Sequence, residues 1–241
     1  MSGILLEVCV DDPAGLAAAI AGGADRIELC SALDLGGLTP PAGFMAGIAS
    51  PVPVYAMIRP RAGDFVYAQV ELDAMARDIE AARQAGLAGV VLGAGRRDGS
   101  LDYRALKRLA EISGGLGTTL HRAFDLVPDR AEAVEMAVEL GFERILTSGG
   151  APTAAEGVAA LEETIAAAAG RISIMPGAGI NVETIGRLLP RLPVSEVHAS
   201  CSTAEPVSDA RLVSLGFSPA KRRRTDAALV RALKEKISAA G

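Results

Sequence analysis

The 241-residue chain has no tryptophan, only 3% aromatic residues, three cysteines and two histidines. Each scarcity excludes something. Three cysteines, an odd and low number, do not make a secreted disulfide framework; free thiols in a reducing compartment are expected, and any special cysteine would be a ligand or a nucleophile. Few aromatics to stack bases, a net charge of −5 and a pI near 5.2 do not suit the phosphate backbone, so no nucleic-acid partner is expected. The N-terminus lacks a basic region and Glu7 interrupts the apolar run Ile4-Leu5-Leu6, so no secretory signal is read. Residues 35–58 carry no charge, a length that could span a bilayer, but Pro40, Pro41, Pro51 and Pro53 break the stretch into loop, short helix and strand. No membrane partner is expected, and the protein is placed in the cytoplasm.

What is present is an ample supply of core. Half the residues are apolar, and a chain of this length buries roughly 70–75% of the surface it exposes when unfolded, enough for one domain over residues 1–241. Eight short runs rich in β-branched residues or leucine read as strands: 5–10, 26–30, 54–59, 89–92, 118–122, 144–147, 172–175 and 196–200. Helical periodicity fills the gaps at 13–22, 71–85, 102–112, 129–140, 154–169, 182–189 and 225–240, with a weaker pattern at 41–49. Eight strands, each followed by a helix at the roughly 30-residue spacing of a βα unit, predict an α/β fold of the TIM (β/α)8 barrel type. A doubly wound open sheet is the runner-up. The first strand is not followed by G-x-G-x-x-G, which favours closure and indicates no nucleotide cofactor.

In such a barrel the chemistry sits at the C-terminal strand ends. The first two strands repeat Glu7-x-Cys9 and Glu28-x-Cys30, and residues two apart share a face, so each strand offers a carboxylate and a thiol on one side. The third ends Arg59-Pro60-Arg61, the fifth carries His121-Arg122 and then Asp125, and the eighth carries His198. Both histidines of the chain therefore fall at strand ends. Glu7, Glu28, His121, Asp125 and His198 are candidates for acid/base work, although carboxylates inside strands need arginine partners in any case. Glycine-rich turns follow the sixth and seventh strands, Ser148-Gly149-Gly150 and Pro176-Gly177-Ala178-Gly179-Ile180-Asn181. Ser148, Gly149, Gly177 and Gly179 are candidate anion holders alongside Arg59 and Arg61, or else tight turns with Asn181 as a helix cap.

The thiols also have two readings. Cys9 and Cys30 on adjacent strands would give a thiolate pair suited to Cu(I), with zinc disfavoured by the lack of C-x-x-C or H-x-x-x-H spacing; Met57 and Met175 could add thioethers. A strand cysteine is equally a small core residue. Between the eighth strand and the last helix, residues 202–224 read as a long loop whose run Lys221-Arg222-Arg223-Arg224 is solvated, a loop of the kind that covers active faces.

A series of motifs, in order along the chain, resembles the CutC family, the copper homeostasis proteins. They are Leu6-Glu7-Val8-Cys9-Val10; Gly23-Ala24-Asp25-Arg26-Ile27-Glu28-Leu29-Cys30-Ser31; Gly36-Gly37-Leu38-Thr39-Pro40; Met57-Ile58-Arg59-Pro60-Arg61 with Gly63-Asp64-Phe65 and Tyr67; Thr119 to Asp125; Arg144 to Gly149; and Ile174 to Asn181, with Val197-His198-Ala199-Ser200 on the eighth strand. The resemblance implies a cytoplasmic TIM barrel, a homo-oligomer (dimer or tetramer), and copper binding through Cys9 and Cys30. The barrel mouth resembles that of an enzyme acting on a small anionic or phosphorylated metabolite, which is the alternative function. Two departures stand out. Ala178 replaces a more usual glycine, which fits if that turn residue does not need positive φ. The segment after His198 diverges and adds Cys201.

Overall fold

The computed structural model describes residues 3–239. Eight parallel strands and their helices follow one another as expected: β1 (Leu5–Val10), α1 (Pro13–Gly22), β2 (Arg26–Leu29), α2 (Ala42–Ala46), β3 (Val54–Met57), α3 (Gln69–Gln84), β4 (Gly89–Leu92), α4 (Tyr103–Ile112), β5 (Gly117–Leu120), α5 (Arg130–Glu139), β6 (Arg144–Thr147), α6 (Val158–Ala168), β7 (Ser173–Pro176), α7 (Val182–Leu188) and β8 (Glu196–Ala199). The uncharged stretch at 35–58 is loop, α2 and β3, and no helix among the described residues is long and apolar enough to cross a membrane.

The sheet runs β7-β6-β5-β4-β3-β2-β1-β8, so the last barrel strand returns to pair with the first. β7 lies beside β8 without a ladder joining them, and the reason is local. Ser173 and Gly177 donate their amides to Glu143 and Thr147 on the β6 side. The alternate residues, Ile174 and Pro176, therefore face β8, and proline has no N–H to give.

Strand residues alternate between two environments. Leu6, Val8, Ile27, Leu29, Val90 and Ile145 point outward into the main core beneath the helices, where they meet Leu16, Met75, Ile79, Leu106 and Leu161. The barrel interior holds a separate small apolar group, Cys30, Tyr55, Met57 and Val91, set among charged residues. Helix starts are capped: Asp12, Asp102, Asp129 and, as the sequence suggested, Asn181 accept from amides of the first turn.

The segment at 202–224 is not a simple loop. β9 (Ser202–Pro206) pairs antiparallel with β10 (Lys221–Thr225), with α8 (Ala210–Ser214) between them, before α9 (Ala227–Ser238) closes the fold. The basic run is thus a strand. Every residue of β10 except Thr225 is exposed, and the pairing is made by backbone.

Candidate functional site

A chain of ion pairs crosses the barrel interior at its base. Glu7 on β1 is fully buried and accepts from Arg26 Nε; Arg26 Nη2 reaches Glu196 at 2.6 Å, and Arg144 Nε reaches the same carboxylate at 3.2 Å. The Tyr55 ring lies against both guanidinium groups, 5.3 Å from Arg26 and 4.9 Å from Arg144. Its neighbours are glycines for a steric reason. A Cβ on Gly89 or Gly117 would lie 2.2 or 2.1 Å from Tyr55 atoms. The expected pairing of a strand carboxylate with arginine is met for Glu7, where it costs less than leaving either charge alone in low dielectric, but not for Glu28, which has no arginine partner.

One step toward the mouth, the register sets Glu7 beside His198 and Cys9 beside Glu28. His198 Nδ1 lies 2.8 Å from Glu7 Oε1, and its Nε2 lies 3.8 Å from Glu28 Oε2. The Cys9 sulfur, a His198 ring nitrogen and a Glu28 carboxylate oxygen all fall within 4.8 Å of one another. Glu28 Oε1 is buried with no partner. Burial alone would lift the Glu7 carboxyl, but the His198 hydrogen bond and the Arg26 charge hold it down at about 2. Burial opposes the imidazolium of His198, yet Glu28, Cys9 and Glu7 outweigh it and raise the ring well above its usual range. Burial pushes Glu28 up, against the pull of His198.

The two E-x-C repeats are thus out of step across the β1–β2 pair. Cys9 meets Glu28, and Cys30 lies two positions further on, fully buried, donating to Glu28 Oε2 at 3.5 Å. Burial and the Glu28 charge push the Cys30 thiol well up. Met175 accepts from Arg26 Nη2 at 3.2 Å and is turned to the base, whereas Met57 lines the mouth. Cys201 packs in the main core, its thiol pushed up to about 12 by burial.

The mouth opens into a cavity of about 570 Å³ that gathers Cys9, Glu28, Arg59, His121, Gly179 and His198. Phe65 and the hairpin residues Arg222, Arg223 and Arg224, which the sequence reading leaves outside the site, also line it. His121 is 3% exposed; its Nδ1 accepts from the Ala123 amide at 3.1 Å, and its ring sits 4.8 Å from that of Phe65. Burial and the neighbouring Arg59 lower its titration to about 3, so the ring is neutral at physiological pH.

Other candidates are placed elsewhere. Arg61 is turned to the surface, paired with Asp64 and Glu71. Asp125 is a fastener: it takes Arg122 Nε, Thr147 Oγ1 and the amides of Ser148 and Gly150, while the Gly149 amide goes to Thr147 Oγ1. The Ser148-Gly149-Gly150 turn has therefore spent its donors on the protein's own oxygens. Gly177 is small for packing, since a Cβ there would lie 2.5 Å from Leu146. Ala178 has a φ of +67°, so this turn does require the left-handed conformation, contrary to expectation, and an alanine bears it.

Comparison with known proteins bears on the whole chain. A "family protein CutC" of Sinorhizobium medicae is 68% identical over 240 residues, covering 99% of this chain and 98% of its own. Its counterpart in Rhizobium meliloti is 66% identical over 240 residues, with the same coverage. The crystal structure of a Streptococcus agalactiae protein, provisionally titled copper homeostasis protein CutC, superposes with a TM-score of 0.78 at 31% identity, over 82% of this chain and 98% of its own. With the CutC family profile matching residues 4–203 across all eight barrel strands, the chain belongs to the CutC family.

Proposed function

We propose that the protein binds a copper ion at the barrel mouth, with Cys9, His198 and Glu28 as its ligands. The observation that carries this reading is the convergence of three different donor groups within 4.8 Å, one carboxylate oxygen of Glu28 being buried and unpartnered. The donor set is apt: thiolate and imidazole together favour copper or zinc over hard cations. The name of the Streptococcus agalactiae relative favours copper of the two. Glu7 supports the reading from behind. A carboxylate on the far nitrogen of a histidine fixes the ring and raises its basicity, as is usual in metal sites. Cys30 takes part through its hydrogen bond to Glu28, as a positioning residue. The free thiols suit the reducing cytoplasm, where we place the protein. Exposed Leu212, Leu215 and Phe217 support a homo-oligomer, which sedimentation would size as dimer or tetramer.

The test is a Cu(I) titration of reduced protein against a competing chelator. Cys9→Ser and His198→Ala should each weaken binding by more than about tenfold, whereas Cys30→Ser, whose hydroxyl can still donate to Glu28, should stay within a few-fold of wild type. Unchanged binding in Cys9→Ser sinks the proposal. An equal loss in Cys30→Ser would restore the thiolate pair in its place.

A further inference from the structure

The interior arginines are not treated alike. Arg26 and Arg144 each meet carboxylates. Arg59 is 7% exposed and gives its Nη atoms to three backbone carbonyls, those of Leu35 at 2.9 Å, Gly37 at 3.1 Å and Gly63 at 3.0 Å. Its Nε is buried without an acceptor, and no carboxylate among the described residues lies within ion-pair distance. Carbonyls satisfy N–H groups, but they do not cancel a charge. A buried guanidinium with no counter-ion is a costly arrangement unless a ligand supplies one.

His121 stands beside it with the complementary defect. Because Nδ1 accepts the Ala123 amide, the ring proton is on Nε2, and that atom is buried with no partner. The ring cannot turn away freely. Gly93 makes room for it, since a Cβ there would lie 2.5 Å from the ring, and Phe65 packs against both His121 and Arg59. Both residues line the cavity, whose volume of about 570 Å³ is that of a metabolite rather than a bare ion. Of the acids other than Glu28 that line the cavity, Asp11 accepts the Leu33 amide and Asp12 the Gly15 amide, while Asp34 and Glu183 are exposed to solvent.

We infer that the Arg59 and His121 side of the cavity is a binding site for a small organic oxyanion, a carboxylate or phosphate, held by the His121 Nε2–H and the Arg59 charge. Arg222, Arg223 and Arg224 of β10, on the same cavity, favour its entry. The site shares the cavity with the copper ligands but uses none of them.

The test uses metal-free full-length protein in chelator, so that its outcome is independent of copper. 3-Phosphoglycerate, pyruvate and inorganic phosphate serve as probes, read by calorimetry and by the ¹⁵N and ¹H signals of the two histidines. Binding of 3-phosphoglycerate should shift the His121 Nε2–H signal, and His121→Ala should weaken it about tenfold, the worth of one hydrogen bond to a charged group. His121→Gln, which keeps a donor, should recover part of the loss, and Cu(I) affinity should be unchanged in both. Binding of pyruvate alone or of phosphate alone, with the same variant losses, supports the site and assigns its charge type. No movement of the His121 signal by any of the three probes, or equal binding by wild type and His121→Ala, overturns the inference.

Discussion

Ala178 carries its Cβ in a conformation that an L-residue adopts at a cost of roughly 1 kcal/mol, in a turn on the wall of the mouth cavity. Ala178→Gly should raise the unfolding free energy by up to about 1 kcal/mol, visible as a higher Tm; a lower Tm would mean that the methyl packs well enough to outweigh the strain. His121 makes a prediction of opposite kind. Its pKa is about 3 when folded, against 6.5 for the exposed ring. Between those values the unfolded chain binds the extra proton, so its contribution is complete above 6.5 and is lost as the pH falls toward 3. By about pH 4 the loss is on the order of 3 kcal/mol. Denaturant titrations of wild type and His121→Gln across this window should diverge as pH falls, wild type losing more; parallel curves would place the ring in water. Glu7 is the third residue of this kind. Glu7→Gln removes one partner of a buried pair from both Arg26 and His198, and a loss of about 3 kcal/mol is expected by chemical denaturation. A change under about 1 kcal/mol would show that Glu196 alone suffices for Arg26.

At the scale of elements, the eight barrel strands were legible because each is a short apolar run between turn residues, and their limits in the sequence agree with the structure to within two residues. β10 was not legible for the converse reason. Lys221-Arg222-Arg223-Arg224 has no apolar alternation, since neither face is buried, and only backbone pairing to β9 makes it a strand. The offset of the two E-x-C repeats was hidden for a related cause. Which residue of β2 faces Cys9 depends on the stagger between neighbouring strands, and the sequence of one strand does not carry that. Asp125 shows the limit of reading polar residues at strand ends, because a carboxylate that organises a turn looks the same in sequence as one that faces a ligand. Exposure of the β10 arginines gives a clean experiment. The triple variant Arg222→Ser, Arg223→Ser, Arg224→Ser should leave stability within about 0.5 kcal/mol, while slowing association of 3-phosphoglycerate in stopped flow and flattening its salt dependence.

The whole molecule is acidic, yet its cavity wall sets five arginines, Arg59, Arg122 and three of β10, against five carboxylates, Asp11, Asp12, Glu28, Asp34 and Glu183. Overall charge therefore says little about the ligand, whereas the placement of each charge at the mouth does. The barrel also joins its ends: β1 pairs with β8, and Glu7 and Cys9 from the start of the chain meet His198 from near its finish. During synthesis the first strand leaves the ribosome with one edge bare and its buried carboxylate without His198 or the Arg26–Glu196 link. Nearly two hundred residues follow before that edge is covered. Closing so long a loop is slow compared with local helix formation. The donor trio comes into being only with the eighth strand, so a nascent or truncated chain lacking it holds Cys9 and Glu28 without the histidine. Assembly of the trio and completion of the barrel are therefore the same event.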